Sequence, residues 1–369
     1  MIYNDIKLIL PQFCFKGAYQ SAKELHSGNI NTPYHVIYEE AGVQHDYVLQ
    51  RINSYVFKNP QGVMNNIARV TSHLRNSLIK NGEDPARRVL EVIPTQSGEL
   101  MYVDGNGDFW RAYPFITDAT AYDTVDSPAL FCEIGRAFGN FQKLLCDFPA
   151  DELFDSIPDF HNTYKRFFTF VNSVGKDAAG RVAKAEEEIE FMFEHRKMMS
   201  SIVKLIDAGT LPLRVTHNDT KSNNIMVDNK TGKGLCVIDL DTIMPGSVLY
   251  DYGDAIRFGA STAAEDEPDT GKIALDLDKT YAFTKGFIEE TNGFLTDEEL
   301  RLLPLGVKVI TCELAMRFLT DYLDGDLYFK VNSPEHNIVR ARAQIALLKD
   351  IERKEAQLQK MVDELIAAK

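Results

Sequence analysis

His217, Asp219 and Asn224 stand in the order H-x-D-x-x-x-x-N within Val-Thr-His-Asn-Asp-Thr-Lys-Ser-Asn-Asn-Ile-Met-Val. In kinase catalytic loops with this spacing, the Asp accepts the proton of the substrate hydroxyl and the Asn holds Mg²⁺. Asp239 closes the apolar run Leu235-Cys236-Val237-Ile238 at the place where a second metal-holding carboxylate is expected. Lys221, two residues past Asp219, is placed to counter charge on a transferred phosphoryl group. Phosphoryl transfer asks little covalent help of a protein, so a positioned base, a metal pair and a cation are most of what its site must supply. Asp219 and Lys221 are therefore the catalytic candidates, and Asn224 and Asp239 the metal candidates. His217 is assigned to structure, packed beneath the loop. Asp241 has two readings, a carboxylate behind the metal or a plain strand-end residue. The competing interpretation of the whole stretch is a polar hairpin, since Asn and Asp favour turns by bonding local backbone.

Strands and a tight loop must carry these groups. The stretch from Val215 to Asp228 reads as a strand, a tight polar loop and a short strand, Asn229 to Gly234 as a turn, and the run from Leu235 as a second apolar strand ending in Asp239. Upstream, an amphipathic helix over 2–13 is followed by strand-type runs at 18–25, 32–39 and 46–53. Apolar Val63, Ile67, Val70, Leu74 and Leu78 then recur at helical spacing over 60–81. Further strand-like runs follow at 88–94, 100–103 and 109–116, the last two separated by Asp104-Gly105-Asn106-Gly107. This order matches a kinase small lobe. Tyr113 and Phe115 would lie in the hinge, whose backbone would meet an adenine edge, and the polar loop 26–31 is either a phosphate-covering hairpin or a plain turn. Beyond Ser127-Pro128, an N-cap and first-turn pair, helices are expected near 130–145, 159–174, 178–207, 276–291, 296–324 and 334 onward. The expected fold class is α+β and bilobal, protein-kinase-like, with a small β-rich N-lobe over 1–116 that binds nucleotide and a larger helical C-lobe over 117–369.

Composition narrows the partners. A chain of 369 residues with 44% hydrophobic content can build a sizeable core in two lobes. A net charge of −14 disfavours nucleic acid and anionic membrane, both of which call for a basic face. The five cysteines lack a C-x-x-C pair, as expected of reduced thiols in a cytoplasmic protein. Neither a secretory leader nor a membrane span is expected.

With Arg214 to Ala260 in view, including Ile-Asp-Leu-Asp-Thr-Ile-Met-Pro-Gly-Ser and Gly-Asp-Ala-Ile-Arg-Phe-Gly-Ala, the chain resembles the aminoglycoside phosphotransferase superfamily. Within it the chain is similar to bacterial N-acetylhexosamine 1-kinases, a likeness that also touches Ile30-Asn31-Thr32, Glu313 to Phe318 and Asp324 to Phe329. The resemblance implies ATP-dependent phosphorylation, with Mg²⁺, of the anomeric hydroxyl of a small-molecule sugar, N-acetylglucosamine or N-acetylgalactosamine. It matches Asp219 to the family's base and Asn224 and Asp239 to its metal ligands. Arg317, Tyr328 and Phe258 match positions lining the sugar pocket in the C-lobe, and Asp254 and Arg257 lie beside it. Read by their own chemistry, Arg317 is either a sugar ligand or one half of a salt bridge to Asp254, Asp251 or Glu313. Tyr328 and Phe258 are either stacking platforms or core, and Asp254 either touches sugar or orients the catalytic loop.

Two positions depart from the patterns. Kinases place a phosphate-pairing lysine on the third strand, where this chain has Gln50 and Arg51. The sugar 1-kinase relatives also carry glutamine there, which leaves Lys221 and Arg51 as candidate clamps on the nucleotide. Asn29 stands where relatives often have a histidine near the sugar. Two other functions fit the same motifs: a kinase for another acceptor, such as an aminoglycoside, choline or homoserine, and an ATP-binding pseudokinase. Oligomeric state is left open by the sequence.

Overall fold

Residues 41 and 42 show how locally this fold is specified. Ala41 and Gly42 take φ of 51° and 83°, the left-handed pair that a two-residue hairpin turn requires. The turn pairs Glu40 directly with Val43 and lengthens the third strand toward it, relative to the expected 46–53. The computed structural model describes residues 2–25, 30–291 and 293–368. They form two compact units, one of residues 1–121, 152–158 and 226–244, the other of residues 122–151, 159–225 and 245–369. The sequence reading divides at 116/117. The units divide at 121/122, and two later segments return to the first.

In the first unit, helix α1 (Ile2–Ile9) precedes strands β1 (Ala18–Glu24), β2 (Thr32–Glu40) and β3 (Val43–Ile52). Helix α2 (Pro60–Lys80), β4 (Tyr102–Val103) and β5 (Phe109–Pro114) follow. The antiparallel sheet runs β1-β2-β3-β5-β4. Val36, Leu49, Ala112, Ile6, Ile9 and Phe13 pack one of its cores. The Asn59 side chain caps α2 by accepting from Gly62 N at 3.0 Å, and Pro60 fills the first helical position, where a missing N–H leaves nothing unpaired. The expected strand at 88–94 does not form. Among the described residues it supplies one bridge, Ile93 to Ala112, because its β-type apolar run is flanked by Pro85 and Pro94 and broken by Glu91.

The returning segments are held by polar groups buried on the sheet and on α2. Strands β6 (Ala119–Thr120), β8 (Ile225–Asp228) and β9 (Gly234–Val237) form a three-stranded sheet in the order β6-β8-β9. Just past β9, Asp241 is 3% exposed and takes both terminal nitrogens of Arg111, itself 1% exposed. Asn31 donates to the same carboxylate at 2.5 Å. Asn66 of α2 donates to Ile243 O at 3.0 Å and to Phe154 O at 2.6 Å, which fastens both returning segments to one helix.

The second unit contains α3 (Pro128–Leu144), α4 (Thr163–Lys176), α5 (Glu186–Glu194), α6 (Ser201–Asp207) and strand β7 (Arg214–Thr216). Strand β10 (Met244–Gly246) carries the chain back into it, and α7 (Val248–Gly259), α8 (Leu277–Thr291), α9 (Asp297–Arg301), α10 (Leu303–Asp324), α11 (His336–Arg353) and α12 (Glu355–Ala367) complete it. The expected helix over 178–207 is divided, with Asp177 at φ 41° and Gly180 at φ 66° turning the chain before α5. The expected helix over 296–324 is interrupted at Leu302 because Pro304 lacks the N–H that would bond back across the joint. Glycines set how closely α7 meets α10. A Cβ at Gly253 would lie 2.4 Å from Gly306 O, and one at Gly306 would lie 2.3 Å from Leu249 O.

Removing one member of a buried ion pair leaves the other without compensation. Arg111→Met is therefore expected to lower stability by about 3–5 kcal/mol in urea unfolding, and Arg111→Met/Asp241→Leu to recover most of that loss. Equal stabilities of the wild type and the single variant would show that the pair does not hold the segment.

Candidate active site

The loop after β7 is shaped by helix α7. Its Ser247 side chain caps the N-terminus by accepting from Leu249 N, and Asp251 and Asp254 follow one turn apart. Asp251 is buried and accepts from His217 N at 2.9 Å, Asn218 N at 2.7 Å and Gln142 Nε2 at 2.7 Å. Asn218 holds φ at 65° and its side chain donates to Thr216 O, a left-handed turn of the kind Asn tolerates. Asp254 accepts Thr220 N at 2.9 Å, while Thr220 Oγ1 donates to Asp251 O at 2.5 Å. The loop backbone thus hangs from two carboxylates. His217 is fully buried, edge-on to Phe138 and Phe141, and takes the structural place expected of it.

This mounting leaves Asp219 reachable, its side chain 28% exposed, with Oδ1 at 2.8 Å from Lys221 Nζ. Asn224 Nδ2 donates to Asp219 O at 2.7 Å and to Asp219 Oδ2 at 3.3 Å. Burial pushes the Asp219 carboxyl up, but Lys221, His217 and Arg257 together overcome that and hold it below the usual Asp value. Burial alone would push the Lys221 ammonium down, and the charges of Asp219 and Asp254 carry it above the usual lysine value. The pair is therefore a carboxylate facing an ammonium across the whole neutral range.

Among the described residues no group of three or more His, Cys, Asp or Glu could hold a metal. A divalent ion would rest instead on amide and carboxylate oxygens, the donor set suited to Mg²⁺. Asn224 fits that use, because its amide nitrogen is committed to Asp219 and its oxygen has no hydrogen bond among the described residues. Asp239 is exposed, in the left-handed conformation at φ 60°, and belongs to the first unit.

The remaining candidates fall into separate groups. Arg257 binds Asp254 through Nε at 3.0 Å and Nη2 at 2.7 Å and reaches Glu265 at 2.9 Å, and Asp254 also accepts the Thr220 amide. Arg257 and Phe258 line one cavity of about 380 Å³, whereas Arg317 and Tyr328 line another of about 150 Å³. Arg317 sits 3.9 Å from Glu313, with its guanidinium over the rings of Phe160, Tyr328 and Phe329. Of the salt-bridge partners weighed for it, Glu313 is the one found. Tyr328 is half exposed, its amide accepted by Asp321. Asn29 lies outside the described residues.

Arg51 faces away from Gln50 and pairs with Asp108 at 3.3 Å, because adjacent strand residues point to opposite faces. The cation beside Gln50 is Arg111, its register partner on β5, whose Nε and Nη2 donate to Gln50 Oε1 at 2.9 and 2.7 Å. The Phe115 amide donates to Asp46 O at 2.9 Å because pairing with β3 continues through it. Tyr113 is buried, its ring 5.4 Å from the Arg111 guanidinium. The sequence signal for Arg111 was a lone charge inside Phe-Trp-Arg-Ala-Tyr, and for Asp251 a carboxylate one turn before Asp254 after a Ser N-cap.

A profile of the phosphotransferase enzyme family matches residues 21–287. The chain belongs to that family. A spectinomycin phosphotransferase solved with ADP and spectinomycin shares its fold at TM-score 0.56 and 13% identity, over 96% of this chain and 98% of that one. Choline kinase from Cryptosporidium parvum matches at TM-score 0.58 and 14% identity, over 98% and 99%. A choline/ethanolamine kinase family protein from Mesorhizobium loti matches at 0.56 and 14%, over 99% of each chain. The expected kinase-like α+β fold and superfamily are therefore confirmed, and this phosphotransferase is a kinase-type enzyme. Among its described residues no helix is long and apolar enough to cross a membrane.

The depressed Asp219 value makes a signed prediction. A carboxyl held low in the folded state stabilises it at pH above the ordinary Asp range, and that stabilisation is lost as pH falls through the depressed value. In Lys221→Met the largest opposing charge is gone, so carboxyl NMR should show Asp219 titrating at higher pH than in the wild type. An unchanged titration would mean that Lys221 does not set the charge of Asp219.

Proposed function

We propose that this phosphotransferase is an ATP-dependent kinase that phosphorylates the anomeric hydroxyl of N-acetylhexosamines. The observation that carries the catalytic half is the Asp219 carboxyl, 2.8 Å from Lys221 on a loop fixed by Asp251 and Asp254. Asp219 takes the proton from O1 as O1 attacks the γ-phosphorus in line, the O1–P bond forming as the bond from phosphorus to ADP breaks. Lys221 counters charge on the transferring group. Asn224 and Asp239 would hold Mg²⁺, which when bound neutralises phosphate oxygens. The ADP in the spectinomycin phosphotransferase structure supports a nucleotide donor. The acceptor rests on the likeness to N-acetylhexosamine 1-kinases in the motifs Glu313 to Phe318 and Asp324 to Phe329, which contain Arg317 and Tyr328.

A choline-type or aminoglycoside acceptor is the second reading, favoured by the functions of the similar structures. An ADP-release assay with N-acetylglucosamine, N-acetylgalactosamine, glucose, choline and spectinomycin separates the two. We expect turnover of the hexosamines with an anomeric phosphate signal in ³¹P NMR. Turnover of choline or spectinomycin without a hexosamine would overturn the acceptor, and ADP release independent of every acceptor would overturn the kinase reading. Asp219→Asn is expected to retain ATP binding and lose at least about a hundredfold in turnover, the low end for a general base. Near-normal turnover in that variant would remove Asp219 from the mechanism.

A further inference from the structure

Near the end of α10, Asp321 is 5% exposed and accepts the consecutive amides of Leu327, Tyr328 and Phe329 at 2.8, 2.7 and 2.9 Å, and Nδ2 of Asn337 on α11 at 2.8 Å. A carboxylate in the last turn of a helix faces the negative end of its dipole, so this one depends on the four donors it has. Hydrogen bonds to an ionised acceptor are about twice as strong as neutral ones. Gly325 at φ 96° and Asp326 at φ 64° turn the chain so that the three amides converge. Asp326 is secured by Arg181 Nη1 at 2.6 Å and Asn337 Nδ2 at 2.9 Å. Apolar burial does little for this turn, since Leu327 is 70% and Tyr328 49% exposed. Two of its residues nevertheless line the 150 Å³ cavity, Tyr328 and Phe329, beside Arg166, Arg317, Asp321 and Asp324. The Arg317 guanidinium lies 5.7 and 5.5 Å from their rings, and Phe329 packs on Phe318 of α10 at 4.6 Å.

We infer that Asp321 is a positioning residue of the acceptor site, fixing the 327–329 backbone and with it the Tyr328 and Phe329 rings beside Arg317. Both of its oxygens are committed to N–H donors, so it acts through that backbone. A turn that had to be ordered on binding would subtract from acceptor affinity, and a turn fixed beforehand avoids that loss. The effect falls on binding and leaves chemistry alone, because the Asp219 loop hangs from Asp251 and Asp254 instead. The inference rests on the hexosamine reading above, whose motifs Glu313 to Phe318 and Asp324 to Phe329 lie on either side of Asp321 in the chain.

Asp321→Asn keeps the shape and turns one acceptor into a donor that faces donors. In hydrogen-exchange mass spectrometry of the full chain, peptides covering 327–329 should exchange about tenfold faster in this variant than in the wild type, and those covering 217–224 at the same rate. KM for N-acetylglucosamine should rise roughly tenfold with kcat and KM for ATP little changed, the pattern of lost uniform binding. Asp321→Ala, which keeps no acceptor, should raise that KM further than Asp321→Asn does. Unchanged exchange at 327–329 would overturn the clamp. Faster exchange with an unchanged KM, or with a loss confined to kcat, would overturn the positioning role and leave a structural one. A wild type that phosphorylates no hexosamine overturns the parent reading, and the acceptor role with it. The exchange measurement, which needs no acceptor, tells that outcome apart from failure of the clamp.

Discussion

Two consecutive backbone amides, those of His217 and Asn218, point at the one carboxylate of Asp251, and the active loop takes its form from that arrangement. Successive N–H groups around a left-handed residue make a concave anion cradle. Here the anion is supplied from within the protein, by a helix whose separation from α10 is set by Gly253 and Gly306. A bulkier residue at either glycine would push α7 away and carry Asp251 and Asp254 with it. The strained φ of Asn218 persists because hydrogen bonds on both sides of the residue determine it. The direction in which Asp219 points is thus decided by helix packing several layers beneath it.

The first unit solves a different problem with the same means. On its sheet the cation beside Gln50 of the third strand is Arg111, from the adjacent strand. A guanidinium buried in a sheet is tolerable only when its donors are matched. Asp241 takes two of its nitrogens and Gln50 a shared pair, so the segment bearing Asp239 is drawn onto the sheet by the requirement to neutralise Arg111. The two oxygens of Asp241 serve Arg111 and Asn31.

Much of this was legible in the residues. The period of the apolar positions in α2 and α3, the cap at Ser127 and the spacing from His217 to Asn224 are local signals, and local signals survive folding. Pairing across strands is not local. Arg51 and Arg111 look alike as lone cations in strand-type runs, and only the register that sets Gln50 opposite Arg111 tells which one turns inward. The return of 226–244 to the first unit is invisible for the same reason, since it depends on a contact between residues 130 positions apart. The run at 88–94 shows the reverse error, strand composition without neighbours to pair it. Arg317 also eluded the residues alone, because the rings of Phe160 and Phe329 that surround it come from different parts of the chain.

The depressed Asp219 value bears on what kind of base this loop can provide. A carboxyl held low by an ammonium at 2.8 Å is a weak proton acceptor, poorly matched to stripping an alcohol in its ground state. In a loose, metaphosphate-like transfer the nucleophile commits late, and its proton becomes acidic only as the new bond to phosphorus forms. A weak base suffices under those conditions provided it is ionised and correctly placed, and Lys221 secures the first requirement while Asp251 and Asp254 secure the second. Raising the basicity of Asp219 by removing Lys221 would thus gain little for proton transfer, while also removing the cation proposed to counter charge on the transferring group. The proposed catalysis rests on orientation and fixed charge, and the structure places its buried hydrogen bonds accordingly, on the backbone that holds the carboxylate.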